Sequence, residues 1–282
     1  MSAPPTTLAA LLRFGAFPID RYRPQLAAPR PTAADPAPTA GPLAQALGLA
    51  GLRLHATGPH ATLYTATARL LGRSVALEVA AHAGPSRVTG KAAQLARLAD
   101  AAVPRVHAAG FLPAGEAWSL REWIDGRSLA QALVDRTTDG PQLLRRGVAA
   151  LAAAADALQR AHRAGEVHAA VHAAHVLLPK DPARLVALVG WGGAAPAAGR
   201  AAPAGTALAA ALVGMLDDLV AAAAQRPHGD PLPAALCACG PALRARVATP
   251  GRPTLAEVGA ALRRALRATP LAAGSHAAGT SR

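Results

Sequence analysis

The sequence predicts an α+β fold in which a small strand-rich half precedes a larger helical half. Three observations lead there. Between about Leu54 and Ile124, short apolar and β-branched runs are separated by turn-forming Gly, Pro and Arg-Ser steps. After Gly126, apolar residues recur at helical spacing in long Ala- and Leu-rich stretches. Hydrophobic residues make up 52% of the 282 residues and aromatic residues only 3%. A sizeable core is therefore available, and it must be built mainly from Ala, Leu and Val.

The elements follow in order. Residues 1–26 form an N-terminal tail in which Phe14, Phe17 and Tyr22 lie close together. A tail has little reason to concentrate aromatics, so these three mark a docking segment, for its own domain or for a partner. Residues 27–48, rich in Pro, Ala and Thr, read as an extended linker. The strand-rich half spans 49–124. Leu63–Ala66 and Ser74–Val79 read as strands, Val88–Leu98 as a helix, and Pro104–Phe111 and Trp118–Ile124 as strands joined by a Leu-Pro-Ala-Gly turn. The helical half spans 125–268. It opens with a short helix, Ser128–Val134, and a long one, Leu143–Ala164, which Gly165 ends. Short strands follow at Val176–Leu178 and Leu185–Leu188, then helices at Ala207–Ala224 and Leu255–Leu266. The last helix starts with Thr254 followed three residues later by Glu257, a capping box. Residues 269–282 read as a disordered tail.

Charge narrows the function classes. The net charge of +13 suggests nucleic acid at first. Yet only Lys91 and Lys180 are Lys, and the arginines are scattered with no basic run and no interleaved aromatics to stack bases. Nucleic acid is not expected as a partner; a protein with an acidic surface is. The run from Ala207 to Leu216 is stopped by Asp217 and Asp218, short of the roughly 20 residues of a membrane span. With no secretory leader pattern either, a cytoplasmic protein without a membrane span is expected. Cys237 and Cys239 form a single C-x-C pair, too few for a zinc ribbon and read as reduced thiols.

One stretch carries a specific pattern. Ala161-His162, Gly165, Val167-His168 and then Val176-Leu177-Leu178 stand at the spacing of a catalytic-loop segment. Leu63-Tyr64-Thr65-Ala66, Val75-Ala76-Leu77, Glu122-Trp123-Ile124-Asp125-Gly126-Arg127-Ser128-Leu129 and Arg252-Pro253-Thr254 follow the same frame in order. Together they resemble the bacterial Ser/Thr protein kinase family over roughly residues 50–267. The resemblance implies a bilobal kinase-like fold, with a small β-rich lobe and a larger helical lobe. It also implies a nucleotide pocket bordered by Gly58, Leu63, Ala76, Arg121, Glu122, Leu177, Trp191 and Gly192.

The chemistry of that family is absent at the matching positions. Phosphoryl transfer needs a Lys on the phosphates held by a Glu, an Asp and an Asn on Mg²⁺, and an Asp for the substrate hydroxyl. Glu78 stands at the Lys position, and Lys91, seven residues before Leu98, at the Glu position, so the pair is charge-swapped. Arg121 replaces an apolar residue beside the adenine site and is placed to reach Glu78. Of three glycines in the loop from Ala56 to Leu63 only Gly58 remains, and Pro59 has no amide to offer a phosphate. His168 keeps its place, but Ala170 replaces the catalytic Asp, His175 the metal-binding Asn, and Gly190 the Mg²⁺ carboxylate. Trp191 keeps a large aromatic after it. No Ser, Thr or Tyr lies between Trp191 and Gly205 to carry an activating phosphate. The resemblance thus implies a pseudokinase with neither ATP nor Mg²⁺ as cofactor, acting as a scaffold or allosteric regulator in bacterial signalling through protein partners.

Two other readings remain open on sequence. One is a residual or atypical ATP-binding Ser/Thr kinase. The other is a metal site: His168, His172 and His175 recur at i, i+4 and i+7, a spacing that on a helix would place three imidazoles on one face.

Overall fold

The structure, a computed structural model, describes residues 40–58, 60–80, 85–112, 115–191, 205–226, 231–249 and 251–269. Phe14, Phe17 and Tyr22, Gly192, the segment after it and most of the C-terminal tail lie outside these residues.

The strand-rich half is a five-stranded antiparallel sheet. Its strands are β1 (Leu49–Thr57), β2 (Ala61–Ala68), β3 (Arg73–Ala80), β4 (Val106–Phe111) and β5 (Ala117–Glu122), in the order β1-β2-β3-β5-β4. Helix α1 (Ala40–Ala46) precedes it, and α2 (Pro85–Leu98) is inserted between β3 and β4. The period-2 geometry of a strand sorts β3. Val75, Leu77 and Val79 pack with Tyr64, Ala66 and Leu120 against Leu43 and Ala44 of α1. Ala76, Glu78 and Ala80 therefore face the opposite side, where α2 lies, and Ala80 packs on Val88.

The helical half contains β6 (Gly126–Ser128), α3 (Leu129–Val134), α4 (Gly140–Arg163), a 3₁₀ turn (Ala173–His175), β7 (Val176–Pro179), β8 (Ala187–Leu188), α5 (Gly205–Ala224), α6 (Ala234–Val247) and α7 (Leu255–Arg267). Local chemistry starts several of these helices. Ser128 and Gln131 form a capping box on α3, Thr254 and Glu257 form one on α7, and Asp139 caps α4 ahead of Pro141. Helices α4 and α5 approach closely at Gly147, where a Cβ would collide with Leu219. The core is almost wholly aliphatic, with Leu143, Leu144, Leu151, Leu158, Leu212 and Leu216 fully buried and Trp191 the one large aromatic among them.

The observed fold is thus α+β, with the strand-rich half first and seven α-helices among the described residues. Three elements depart from expectation. Residues 40–46, expected as linker, form α1, because Leu43 and Ala44 find an apolar sheet face to cover. The strand β1 forms over Leu49–Thr57, ahead of the first expected strand, and β6 forms at Gly126–Ser128. Cys237 and Cys239, read as helical or near a helix end, lie on α6 and are free thiols. Among the described residues one helix, α5, is long and apolar enough to cross a membrane. Its Leu208, Leu212, Leu216 and Leu219 are buried in the helical core, so the apolarity serves packing.

Candidate functional site

The site lies where the inner face of β3 and β5 meets α2 and the segment from Glu166 to Trp191. Three charged side chains converge there. Glu78 leaves the inner face of β3 opposite Ser119 of β5, and Arg121 lies two residues further along β5 on the same face. Lys91 comes from α2. Lys91 Nζ donates to Glu78 Oε1 at 3.0 Å, and an Arg121 guanidinium nitrogen donates to Glu78 Oε2 at 2.7 Å. Each carboxylate oxygen thus holds one cation, and the group carries a net charge of +1.

Burial alone would favour a neutral Glu78, yet the Arg121 and Lys91 charges override it and hold its carboxyl below the usual range. Lys91 is pulled the other way. Burial and the neighbouring Arg121 charge lower its ammonium, with Glu78 only partly restoring it. Arg121 is almost fully buried, and its Nε has no hydrogen-bond partner among the described residues.

Beside this trio lie three imidazoles. His168 Nε2 bonds the Val189 carbonyl at 2.8 Å, and its ring centroid is 4.7 Å from that of Trp191. Trp191 is buried and donates from Nε1 to the Leu188 carbonyl at 2.8 Å. His175 Nδ1 bonds the Ala170 carbonyl at 2.8 Å, and His172 stacks on His175 with centroids 3.6 Å apart. Gly190 has φ +80, and a Cβ there would stand 2.5 Å from the His175 ring. Only a residue without a side chain lets that imidazole lie where it does. Burial pushes His168 and His172 down to about 4 and lowers His175 as well, with the Lys91 charge adding to the effect on His168 and His175. All three are neutral near pH 7 and weak as bases.

The alternative metal set is not assembled among the described residues, where no group of three or more His, Cys, Asp or Glu is arranged to hold a metal ion. The i, i+4, i+7 spacing runs from irregular backbone at His168 through the extended His172 to the last residue of the 3₁₀ turn, His175, and not along one helix. His168 and His175 each commit a ring nitrogen to a backbone carbonyl, and His172 and His175 are stacked, so the three do not surround a common point.

The remaining predicted residues are placed as follows. The Gly58 amide donates to the Ala61 carbonyl at 2.9 Å inside a tight β1–β2 turn, so it has no free N–H for a phosphate. Leu63 stands opposite Glu78 across β2 and β3, and Ala76 is buried opposite Arg121. Glu122 is not free: Arg184 donates to it at 2.8 Å and the Arg105 amide at 3.2 Å. Leu177 lies on β7. Two contacts escaped the sequence. Arg184 also reaches the Val103 carbonyl, and the Trp123 ring meets His55 of β1 edge-on at 4.8 Å. Neither has a local signature, because both join residues far apart in the chain.

Comparison with known proteins leaves the chain without an assigned family: no protein-family model matches it, and neither does any curated protein.

Proposed function

We propose that this chain is a kinase-like domain of bilobal plan that has abandoned phosphoryl transfer and works as a scaffold or allosteric regulator in bacterial signalling, through protein partners. One observation carries the reading: Glu78 on the third strand is clamped by Lys91 of the following helix and by Arg121. Kinases carry the phosphate-pairing Lys on the third strand, ion-paired to a Glu of the next helix. Here the tie between strand and helix persists with its polarity reversed, which keeps the brace and turns a carboxylate toward the place where a triphosphate would sit. The position that would pair with phosphate thus holds no cation, and the two cations beside it each spend a donor on the carboxylate.

Other features support the same conclusion. The single helix inserted between β3 and β4, and the long α4 ahead of the 162–178 segment, agree with the kinase plan. The positions for the base and both metal ligands are Ala170, His175 and Gly190, and His175 fills the space over Gly190. His168 and Trp191, the packing partners of the family's catalytic centre, remain in contact.

A thermal-shift titration with ATP, with and without Mg²⁺, tests the reading. A nucleotide at about 100 times its dissociation constant adds about 2.7 kcal/mol to the folded state. No shift is expected. A clear Mg²⁺-dependent shift would overturn the proposal in favour of a residual ATP-binding kinase.

A further inference from the structure

The turn between β2 and β3 presents Leu70, 96% exposed, and Leu71, 66% exposed. Single surface leucines need no explanation. Two adjacent ones at the tip of a hairpin, bounded by the exposed arginines Arg69 and Arg73, do. Nor is the exposure that of a loose loop. The Arg69 amide donates to the Gly48 carbonyl at 3.0 Å, and the Leu71 and Gly72 amides both donate to Ala68, at 3.2 and 2.9 Å. The turn holds the leucines out.

The surrounding chain decides what they meet. From Ala40 to Leu77 there are three arginines, Arg53, Arg69 and Arg73, and no Asp or Glu. This stretch comprises α1, β1, β2 and the start of β3, one whole edge of the sheet. An apolar tip ringed by cations on a carboxylate-free edge complements a surface that is anionic outside and apolar beneath. We infer that the Arg69–Arg73 turn docks this protein peripherally on an anionic lipid bilayer, with Leu70 and Leu71 entering below the headgroups and Arg69 and Arg73 pairing with lipid phosphates and carboxylates.

A protein partner is disfavoured by area. Two leucines on a convex turn offer far less than the roughly 800 Å² per partner of a stable interface, and the flanking Thr67 and Ser74 are polar and exposed. A bilayer accepts a narrow wedge, and basic residues near an anionic leaflet add to the attraction of buried apolar groups. This inference is independent of the kinase-like reading, since it uses neither the inner face of the sheet nor nucleotide.

Co-flotation of the full chain with vesicles tests it. Phosphatidylcholine vesicles are compared with vesicles containing phosphatidylserine, at several salt concentrations. The wild type should bind the anionic vesicles and leave the neutral ones. Leu70→Gln with Leu71→Gln keeps every charge and touches no core residue; it should weaken binding by about tenfold or more. Arg69→Gln with Arg73→Gln should weaken it by roughly fivefold per arginine. Circular dichroism melts should be unchanged in both variants. Equal binding by the leucine variant would overturn the inference and leave only nonspecific adsorption of a basic protein. Absence of wild-type binding to anionic vesicles would overturn it too, as would capture of a protein partner through these leucines without vesicle binding.

Discussion

Replacing Glu78 with Gln leaves the Lys91 and Arg121 cations facing each other in a largely buried space with no carboxylate between them. Before the change the group holds two cations and one anion, each carboxylate oxygen paired. After it, both charges lose their partner, and removing one member of a buried ion pair costs about 3–5 kcal/mol. Lys91→Met acts in the opposite sense. It removes the surplus cation and leaves a neutral Glu78–Arg121 pair, with Glu78 Oε1 short of one donor, so its cost is the smaller one, about 1–3 kcal/mol. The asymmetry is the test. Urea unfolding should show a large drop in midpoint for Glu78→Gln at unchanged m-value, and a smaller one for Lys91→Met. The reasoning fails if Glu78→Gln costs less than about 1 kcal/mol, or if both variants cost the same. A further arm distinguishes a brace from an isolated pair. Exchanging Glu78→Lys with Lys91→Glu sets the new lysine beside Arg121, so stability should return only when Arg121→Leu is added.

Two further predictions follow from the imidazole cluster. His168 is held neutral with its pKa pushed to about 4, below the ordinary 6.5. Between those values the unfolded chain binds the extra proton, so this contribution is complete above pH 6.5 and is lost as pH falls toward 4; for a group so buried it is on the order of 3 kcal/mol. Asp218, raised to about 7 by burial and by Asp217, works against it in the same window. The readout is therefore the difference between wild type and His168→Leu in urea midpoint at pH 7.5, 6 and 5, which should shrink on acidification; a constant difference would contradict the assignment. Gly190→Ala should destabilise by more than the about 1–2 kcal/mol of a left-handed backbone alone, because its methyl meets the His175 ring. Adding His175→Ala should recover the excess and leave only the backbone part, as read by thermal melts.

The sequence reading went furthest where a local period or a cap decides the structure. Strands β3 and β5, helix α2, the long α4 and the Thr254–Glu257 start of α7 all carry such signals, and the strand period together with the place of α2 brings Glu78 to Lys91. It failed where burial comes from distant residues. Helix α1 has a linker's composition and folds because Leu43 and Ala44 meet Tyr64 and Leu77 across the sheet. At α6 the helical character of Cys237 and Cys239 was legible but the helix's extent was not, since it contains Pro241 and shows no clean apolar stripe of its own. That His175 and Gly190 are neighbours is implied by the family frame, which sets them at the two Mg²⁺-ligand positions, but that the imidazole needs the missing Cβ shows only once β7 and β8 pair and place them together. The histidine spacing would gather three imidazoles only on a helix over residues 168–175, whereas the chain there is a loop leading into β7, as the family frame implies.

The β1–β2 turn has a consequence for the history of the chain. Thr57 and Thr62 are already ladder partners, and Ala56 faces Leu63, so the strands are zipped to within a few residues of the bend. Ala56, Gly58 and Ala61 stand at the two- and three-residue steps of a glycine-rich phosphate loop, so the bend has that loop's length and lacks its glycines. On the function proposed, the way back to nucleotide binding through this bend needs several substitutions together, since Pro59 lacks an amide and the two alanines carry side chains.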